Sequence, residues 1–215
     1  MGHFCFCPAD NSNRGGNLGL YLTARDNEQI ERARKALVLE EVDGYRLDRQ
    51  KGGILNTCAD GDQFFDLVTK EAEFVKARCN GARIHTFGWN GGALRLTVRG
   101  IRWRWLGLML FKLFQLILER LGVAVIELFG EAAAARTMKN MDTAALYAHA
   151  PCGYAYGQGL DFNTVVDRLF AAKENVKQAI PGIKVACFVH VRHLDGRPRT
   201  YFVSRDNWLR YRAAA

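Results

Sequence analysis

The chain has 215 residues, of which 49% are hydrophobic and 24% charged, and it contains only four prolines. This composition is typical of a folded protein with a substantial core, and it excludes an intrinsically disordered chain. The formal net charge of +8 favours partners that carry negative charge, either nucleic acid or an acidic protein surface.

The first elements along the chain predict a split β-α-β order. Residues 18–24 form a predicted strand, and residues 26–41 an amphipathic helix that begins with the capping-box spacing of Asp26 and Gln29. Residues 45–57 predict a β-hairpin around a Lys-Gly-Gly turn.

A second helix over residues 60–81, followed by a strand over residues 82–87, completes the order β-α-β-β-α-β. This order is that of ferredoxin-like folds. We therefore expect an α+β protein with an antiparallel, ferredoxin-like sheet in its N-terminal half. The second helix is expected to bury one apolar face, formed by Phe64, Phe65, Val68, Ala72, Val75 and Cys79.

Residues 94–105 alternate arginine with apolar side chains and predict a fifth strand. A one-residue bulge at Gly100 would place the arginines on one face and the apolar residues on the other, whereas without it Trp103 and Trp105 join the arginines. A second basic segment follows at residues 181–215, and we expect the two to form one exposed face. The candidate residues for binding nucleic acid or a partner protein are Arg95, Arg99, Arg102, Arg104, Arg197, Arg199, Arg205, Arg210, Trp89 and Trp208.

Residues 106–160 are predicted to be a helical core segment. Its first helix should bury Leu110, Phe114 and Ile117, while Lys112 and Glu119 reach water. The uninterrupted apolar run, residues 105–111, is too short to span a membrane, because a span needs roughly 20 residues. Residues 131–149 are predicted to be helical, and residues 150–159 form a loop rich in glycine and tyrosine.

The C-terminal residues predict a helix, a hairpin and a final helix. The helix covers residues 162–180, and the hairpin turns at residues 194–196. The chain would then divide into an α+β sheet domain (1–105), the helical segment (106–160) and an α-β-hairpin-α unit (161–215), packed together as one globule.

His149 and Cys152 are one place where the sequence suggests chemistry. His149 directly precedes the loop rich in glycine and tyrosine, and Cys152 lies within it. A Cys-His nucleophile needs the imidazole within hydrogen-bond reach of the sulfur, with a third group to orient it. Residues so close in sequence rarely meet in that way. We therefore interpret this stretch as a structural loop or one that contacts a partner.

Other histidines and cysteines give no better site. His190 and His193 have opposite side-chain parity on a predicted strand, so they should not chelate one ion. His3, Cys5 and Cys7 lack the second pair of ligands that a closed zinc site requires. Phosphate-binding, serine-hydrolase and zinc-protease motifs are also missing from the sequence. We therefore predict no catalytic residue, no metal ligand and no cofactor.

The six cysteines include no Cys-x-x-Cys pair, and we expect reduced thiols in a cytoplasmic protein. The favoured function is a non-enzymatic, basic nucleic-acid-binding protein. One alternative is a small regulatory or inhibitory protein that binds a partner protein, as plasmid- or phage-type accessory factors do. A second alternative is an enzyme of unrecognised type. The oligomeric state and the choice between DNA and RNA remain open.

Overall fold

A six-stranded mixed sheet organises the described part of the chain. The structure is a computed structural model, and it describes residues 21–42, 52–59, 63–76, 84–97 and 124–214. The strands lie in the order β1-β6-β5-β4-β2-β3. Their bounds are β1 Leu39–Glu41, β2 Gly53–Cys58, β3 Ile84–Trp89, β4 Thr143–Ala150, β5 Lys184–Arg192 and β6 Pro198–Val203.

Helices pack on both faces of this sheet. The larger hydrophobic cluster contains Ala144, Leu146 and Ala148 of β4, and the smaller one contains Ala145 and Tyr147, so alternate residues of the strand face opposite clusters. Among the described residues, α2 is the helix that contributes to the smaller cluster. The helices are α1 Ala24–Lys35, α2 Phe64–Lys76, the 3₁₀ helix Gly92–Thr97, α3 Ala124–Lys139, α4 Gly153–Gly157, α5 Phe162–Ala179 and α6 Arg205–Ala214.

The expectation of an antiparallel, ferredoxin-like sheet is wrong, because the fold is α/β. Strands β3, β2, β4 and β5 are mutually parallel, and the antiparallel pairs are β5 with β6 and β6 with β1. Strand β2, predicted as one arm of a hairpin, pairs in parallel with both β3 and β4. The helix-hairpin-helix elements at the C-terminus contribute β5 and β6 to this same sheet.

The last residues of the helix predicted over residues 131–149 form strand β4 in the structure. All eight of its residues, Thr143–Ala150, are buried, so the sequence lacks the alternation that marks a half-exposed strand. Its alanines also favour a helix in isolation. Its place between β2 and β5 overrides that preference, since a central position pairs its backbone on both sides.

Part of the predicted basic strand forms a 3₁₀ helix instead. Within Gly92–Thr97, Leu94 and Leu96 are buried, and the side-chain amide of Asn175 on α5 donates a hydrogen bond to the carbonyl of Leu96 at 2.6 Å. The remainder of that predicted strand and the predicted helix after it, with Leu110, Lys112, Phe114, Ile117 and Glu119, lie outside the described residues.

Helix α2 buries a face that only partly matches the one expected. Its buried residues are Leu67, Glu71, Phe74 and the expected Val75, whereas Phe65 is 74% exposed and Cys79 lies outside the described residues. The hydroxyl of Tyr147 on β4 donates a hydrogen bond to Glu71 at 2.9 Å, and this bond explains why the helix can bury a carboxylate. No helix among the described residues is long and apolar enough to cross a membrane.

Candidate metal centre

The candidate site lies where β2 and β4 end. Cys58 is the last residue of β2, His149 lies at the end of β4, and Cys152 follows β4 as the N-cap of α4. The chain leaves β2 toward β3 on one side and leaves β4 toward β5 on the other, so the two strands flank a reversal of strand order. In open parallel sheets, ligands bind at the carboxyl ends of strands at such a point.

Two thiols and one imidazole converge at this edge. The Sγ atoms of Cys58 and Cys152 and a ring nitrogen of His149 all lie within 4.8 Å of one another, and all three residues are buried. With Zn–S bonds of about 2.3 Å and Zn–N bonds of about 2.0–2.1 Å, a tetrahedral zinc ion holds such ligands roughly 3.5–3.8 Å apart. The observed limit of 4.8 Å admits this spacing, so the three side chains could supply three of the four ligands of a zinc site.

The two thiols share a proton unequally. A hydrogen bond from Cys152 lowers the pKa of Cys58 despite its burial. The same hydrogen bond to Cys58, together with burial, raises the pKa of Cys152. Of the two, Cys58 is therefore the thiol that ionises first, and Cys152 is the donor.

His149 is oriented by the chain that follows β4. Its Nδ1 lies 2.8 Å from the carbonyl oxygen of Pro151, whose peptide bond to Ala150 is cis. Because a carbonyl oxygen only accepts hydrogen bonds, Nδ1 carries the proton and Nε2 is the nitrogen suited to a metal. Histidine ligands of metals are commonly oriented by a backbone carbonyl in this way.

A cavity of about 210 Å³ reaches the cluster at His149 and Cys152. Its inner wall is mainly apolar, and Arg25, Asp26 and Asp161 supply charged groups around it. Tyr21 and Tyr156, which are 82% and 70% exposed, also line it. The apolar lining residues are Ala150, Pro151, Ala155, Leu160, Phe162 and Val165.

Hydrogen bonds between α1 and α5 fix one wall of this cavity. Asp26 accepts from the backbone N–H of Phe162 at 2.8 Å, and Gln29 accepts from that of Asn163 at 3.0 Å. Asp161 caps α5 by accepting from the N–H of Thr164, and it also pairs with Arg25 at 2.6 Å. These contacts satisfy N–H groups of the first turn of α5 that have no partner within the helix.

Replacing Asp161 by alanine is expected to destabilise the protein by about 1–2 kcal/mol, because α5 loses its N-cap. Burial alone would raise the pKa of this carboxyl, but hydrogen bonds from Thr164 and Gln29 and the charge of Arg25 lower it to about 2. Its stabilising effect is therefore complete above the unfolded-state pKa of about 3.9 and disappears as the pH falls toward 2.

Urea denaturation at pH 7 and at pH 3 measures this effect. Asp161→Asn is the matched control, since asparagine can still cap the helix and should lose less than half as much stability. An alanine variant as stable as the parent at pH 7 would contradict the assigned cap.

The predicted basic residues fall in several environments. Arg95, Arg197 and Arg210 are exposed. Arg199 pairs with Asp195 at 2.7 Å, and Arg205 lies 3.9 Å from Glu174, so nearby acids offset their charge. The remaining three candidates, Arg99, Arg102 and Arg104, lie outside the described residues, as do Trp103 and Trp105.

The two candidate tryptophans belong to the core rather than to an open surface. Trp208 is completely buried, and its indole N–H donates to Asp167 at 2.6 Å. Trp89 is half-buried and packs against the larger hydrophobic cluster.

His190 and His193 are hydrogen-bonded to different residues of β6. Nδ1 of His190 lies 2.9 Å from the hydroxyl of Thr200, and burial lowers the pKa of His190 to about 4. Nε2 of His193 lies 2.8 Å from the hydroxyl of Tyr201. His3, Cys5 and Cys7 lie outside the described residues.

Cys58 is the residue that sequence reasoning missed. His149 and Cys152 were considered together, but their partner comes from a strand far earlier in the chain. Only the parallel pairing of β2 with β4 brings it to them. The one available signal was that a cysteine ends a short apolar run, which is weak by itself.

Comparison of the chain with protein-family models, with curated proteins and with solved structures finds no match.

Proposed function

We propose that the chain is a zinc-dependent enzyme that adds water to a small, neutral electrophile such as carbon dioxide. The observation that carries this proposal is the cavity, because it is lined by two of the three clustered residues, His149 and Cys152. Catalytic zinc sites use three protein ligands and leave one position for water or substrate.

The donor set favours zinc among the common divalent ions. Thiolate ligands select soft or borderline metals, and a mixed set of cysteine and histidine is typical of zinc. Zinc held by Cys58, His149 and Cys152 would supply a Lewis acid and would lower the pKa of a water molecule to about 7.

The charges around the cavity favour a neutral substrate. Two thiolates, those of Cys58 and Cys152, cancel the charge of a divalent ion. Arg25 is paired with Asp161, and Asp26 adds a further negative charge. No net positive field is left among these groups to attract an anion, while the apolar wall accommodates an uncharged molecule. The volume of about 210 Å³ limits that molecule to a small one.

Metal analysis combined with an activity assay tests the proposal. We expect one zinc ion per chain, and saturable hydration of carbon dioxide that a chelator removes and added zinc restores. Hydrolysis of a small neutral ester tests the same nucleophile on a second substrate. A chain that binds zinc but accelerates neither reaction would make the site structural. A folded chain that binds no zinc, and whose Cys58 and Cys152 oxidise reversibly to a disulfide, would make it a redox dithiol.

Zinc binding at pH 7 is expected to release about one proton from the two thiols. Cys58 is the thiol that ionises first, because the hydrogen bond from Cys152 lowers its pKa, whereas the raised pKa of Cys152 keeps that thiol protonated. Isothermal titration in buffers of different ionisation enthalpy measures the number. As the pH falls below the lowered pKa of Cys58, that residue also becomes protonated, so more protons are released and the affinity falls more steeply. Release of two thiol protons at pH 7 would contradict a thiolate on Cys58.

Nucleic-acid binding is a second candidate, and the exposed Arg95, Arg197 and Arg210 on a chain of net charge +8 support it. Binding through phosphates should weaken steeply as salt increases, because counterions are released. A protein partner held by an apolar interface should respond much less. Titrations with DNA and RNA at two salt concentrations therefore separate these two interpretations, and the absence of any binding at low salt would remove this candidate.

A further inference from the structure

A turn of two glycines lies against Cys58 and against α4, the helix that follows Cys152. The turn, Gly91 and Gly92, joins β3 to the 3₁₀ helix. The backbone N–H of Gly91 donates a hydrogen bond to the Sγ of Cys58 at 3.1 Å, and both groups are buried. This donor belongs to a different segment of chain from any of the three candidate ligands, so the bond is a contact around the site rather than part of it.

The backbone of this turn is suited only to glycine. Gly91 has a φ of +86°, and a Cβ atom built there would lie 2.6 Å from the ring of Tyr154 on α4. Gly92 has a φ of +46°, and a Cβ atom there would lie 2.3 Å from the backbone nitrogen of Cys58. Both glycines therefore combine a positive φ with close contact to neighbouring atoms. This combination permits the N–H of Gly91 to reach the sulfur of Cys58.

Two backbone hydrogen bonds also hold the turn in place. The N–H of Ala59, directly after Cys58, donates to the carbonyl of Trp89 at 2.9 Å, which continues the pairing of β2 with β3. The N–H of Leu94 donates to the carbonyl of Gly91 at 2.9 Å and so closes the turn. The donor is therefore fixed relative to Cys58 before any ion binds.

We propose that the Gly91 N–H is a positioning group for the metal centre, which holds the Cys58 sulfur in place and reduces the negative charge that it donates to the ion. This inference rests on the proposed function. Groups that hydrogen-bond to metal ligands orient those ligands and tune the metal. A thiolate that donates less charge leaves the ion a stronger Lewis acid, so a bound water loses its proton at a lower pH.

The experiment compares Gly91→Ala with Gly196→Ala. Both glycines have left-handed backbone, since φ is +76° at Gly196, but a Cβ atom there meets nothing within 4 Å. Gly196 lies in the turn between β5 and β6. The control variant therefore has the same kind of backbone strain, but it displaces no atom near Cys58. We expect Gly91→Ala to weaken zinc binding by about 10- to 100-fold, measured by competition with a chromophoric chelator. Gly196→Ala should bind zinc as the parent does.

Cobalt substitution adds a readout that a purely structural role would not change. The charge-transfer band from thiolate to cobalt reports the charge that sulfur donates, and it should shift in Gly91→Ala but not in Gly196→Ala. If the hydration activity is present, its pH profile should shift upward in Gly91→Ala alone.

A double variant keeps the test decisive if Gly91→Ala folds poorly. Tyr154→Ala removes the ring that the new methyl group would meet, so Gly91→Ala combined with Tyr154→Ala should recover zinc affinity relative to Gly91→Ala, with Tyr154→Ala alone as reference. Gly91→Ala with unchanged affinity and an unchanged cobalt band, or a double variant that recovers the fold but not the affinity, would overturn the inference while the proposed function stands. A parent chain that binds no zinc would overturn both.

Discussion

Replacing Cys58 or Cys152 by alanine is expected to weaken zinc binding by more than about 100-fold and to abolish zinc-dependent activity. Loss of a group that merely hydrogen-bonds to a ligand typically costs 10- to 100-fold in affinity, so loss of a direct ligand must cost more. His149→Ala should act in the same direction. Zinc stoichiometry after dialysis, followed by chelator competition, measures the effect.

Cys187→Ala is the matched control for these variants. Cys187 is also a buried, free thiol, but it lies on β5 within the hydrophobic cluster and outside the three-residue group. It should retain the zinc and the activity of the parent. If all three cysteine variants bind zinc equally well, the ion is held somewhere other than at the ends of β2 and β4, and the proposed site is wrong.

Replacing Trp208 by alanine is expected to destabilise the protein by about 3–5 kcal/mol, the usual cost of removing a large aromatic side chain from a core. Trp208 is completely buried, its ring packs edge-on against Phe162 at 6.4 Å, and its N–H donates to Asp167. Because Phe162 also lines the cavity, the damage should extend to the wall beside the candidate metal centre.

Urea denaturation measures the loss, and Leu209→Ala provides the comparison. Leu209 is the next residue on the same helix and is 50% exposed, so its truncation should cost less than about 1 kcal/mol. Trp208→Phe should fall between the two, because it keeps most of the packing and loses the hydrogen bond. Equal stability of Trp208→Ala and Leu209→Ala would contradict the buried position of the indole, and would make base stacking by Trp208 possible again.

The sequence predicted those elements whose pattern is local. Helix α5 has a capped start and an amphipathic face, and the β5–β6 hairpin has a turn containing Gly196, so both could be located. Of the two central strands, β2 was located but given the wrong partner, and β4 was assigned to a helix. Strands β2 and β4 are buried along their whole length, so neither alternates, and the alanines of β4 favour a helix. The wrong pairing of β2 and the missed strand β4 changed an α/β sheet into an antiparallel one.

The candidate site depended on the same two strands. The spacing of His149 and Cys152 was visible, but their interpretation as a loop that contacts a partner followed from leaving Cys58 out. No local pattern shows that β2 and β4 are neighbours, because parallel pairing joins segments that lie far apart in sequence. The Gly91 contact was equally hidden, since a backbone N–H has no sequence signature beyond the Gly-Gly turn itself.

The distance along the chain between Cys58 and Cys152 has a consequence for folding. An ion held by both would link residues 58 and 152 across a long stretch of chain. Its ligands meet only after β2 and β4 have paired, so the ion would clamp a sheet that is already assembled and would stabilise the folded chain by its binding free energy. Its loss would then matter most for the rate of unfolding, because no ion would hold β2 to β4 once the sheet begins to open.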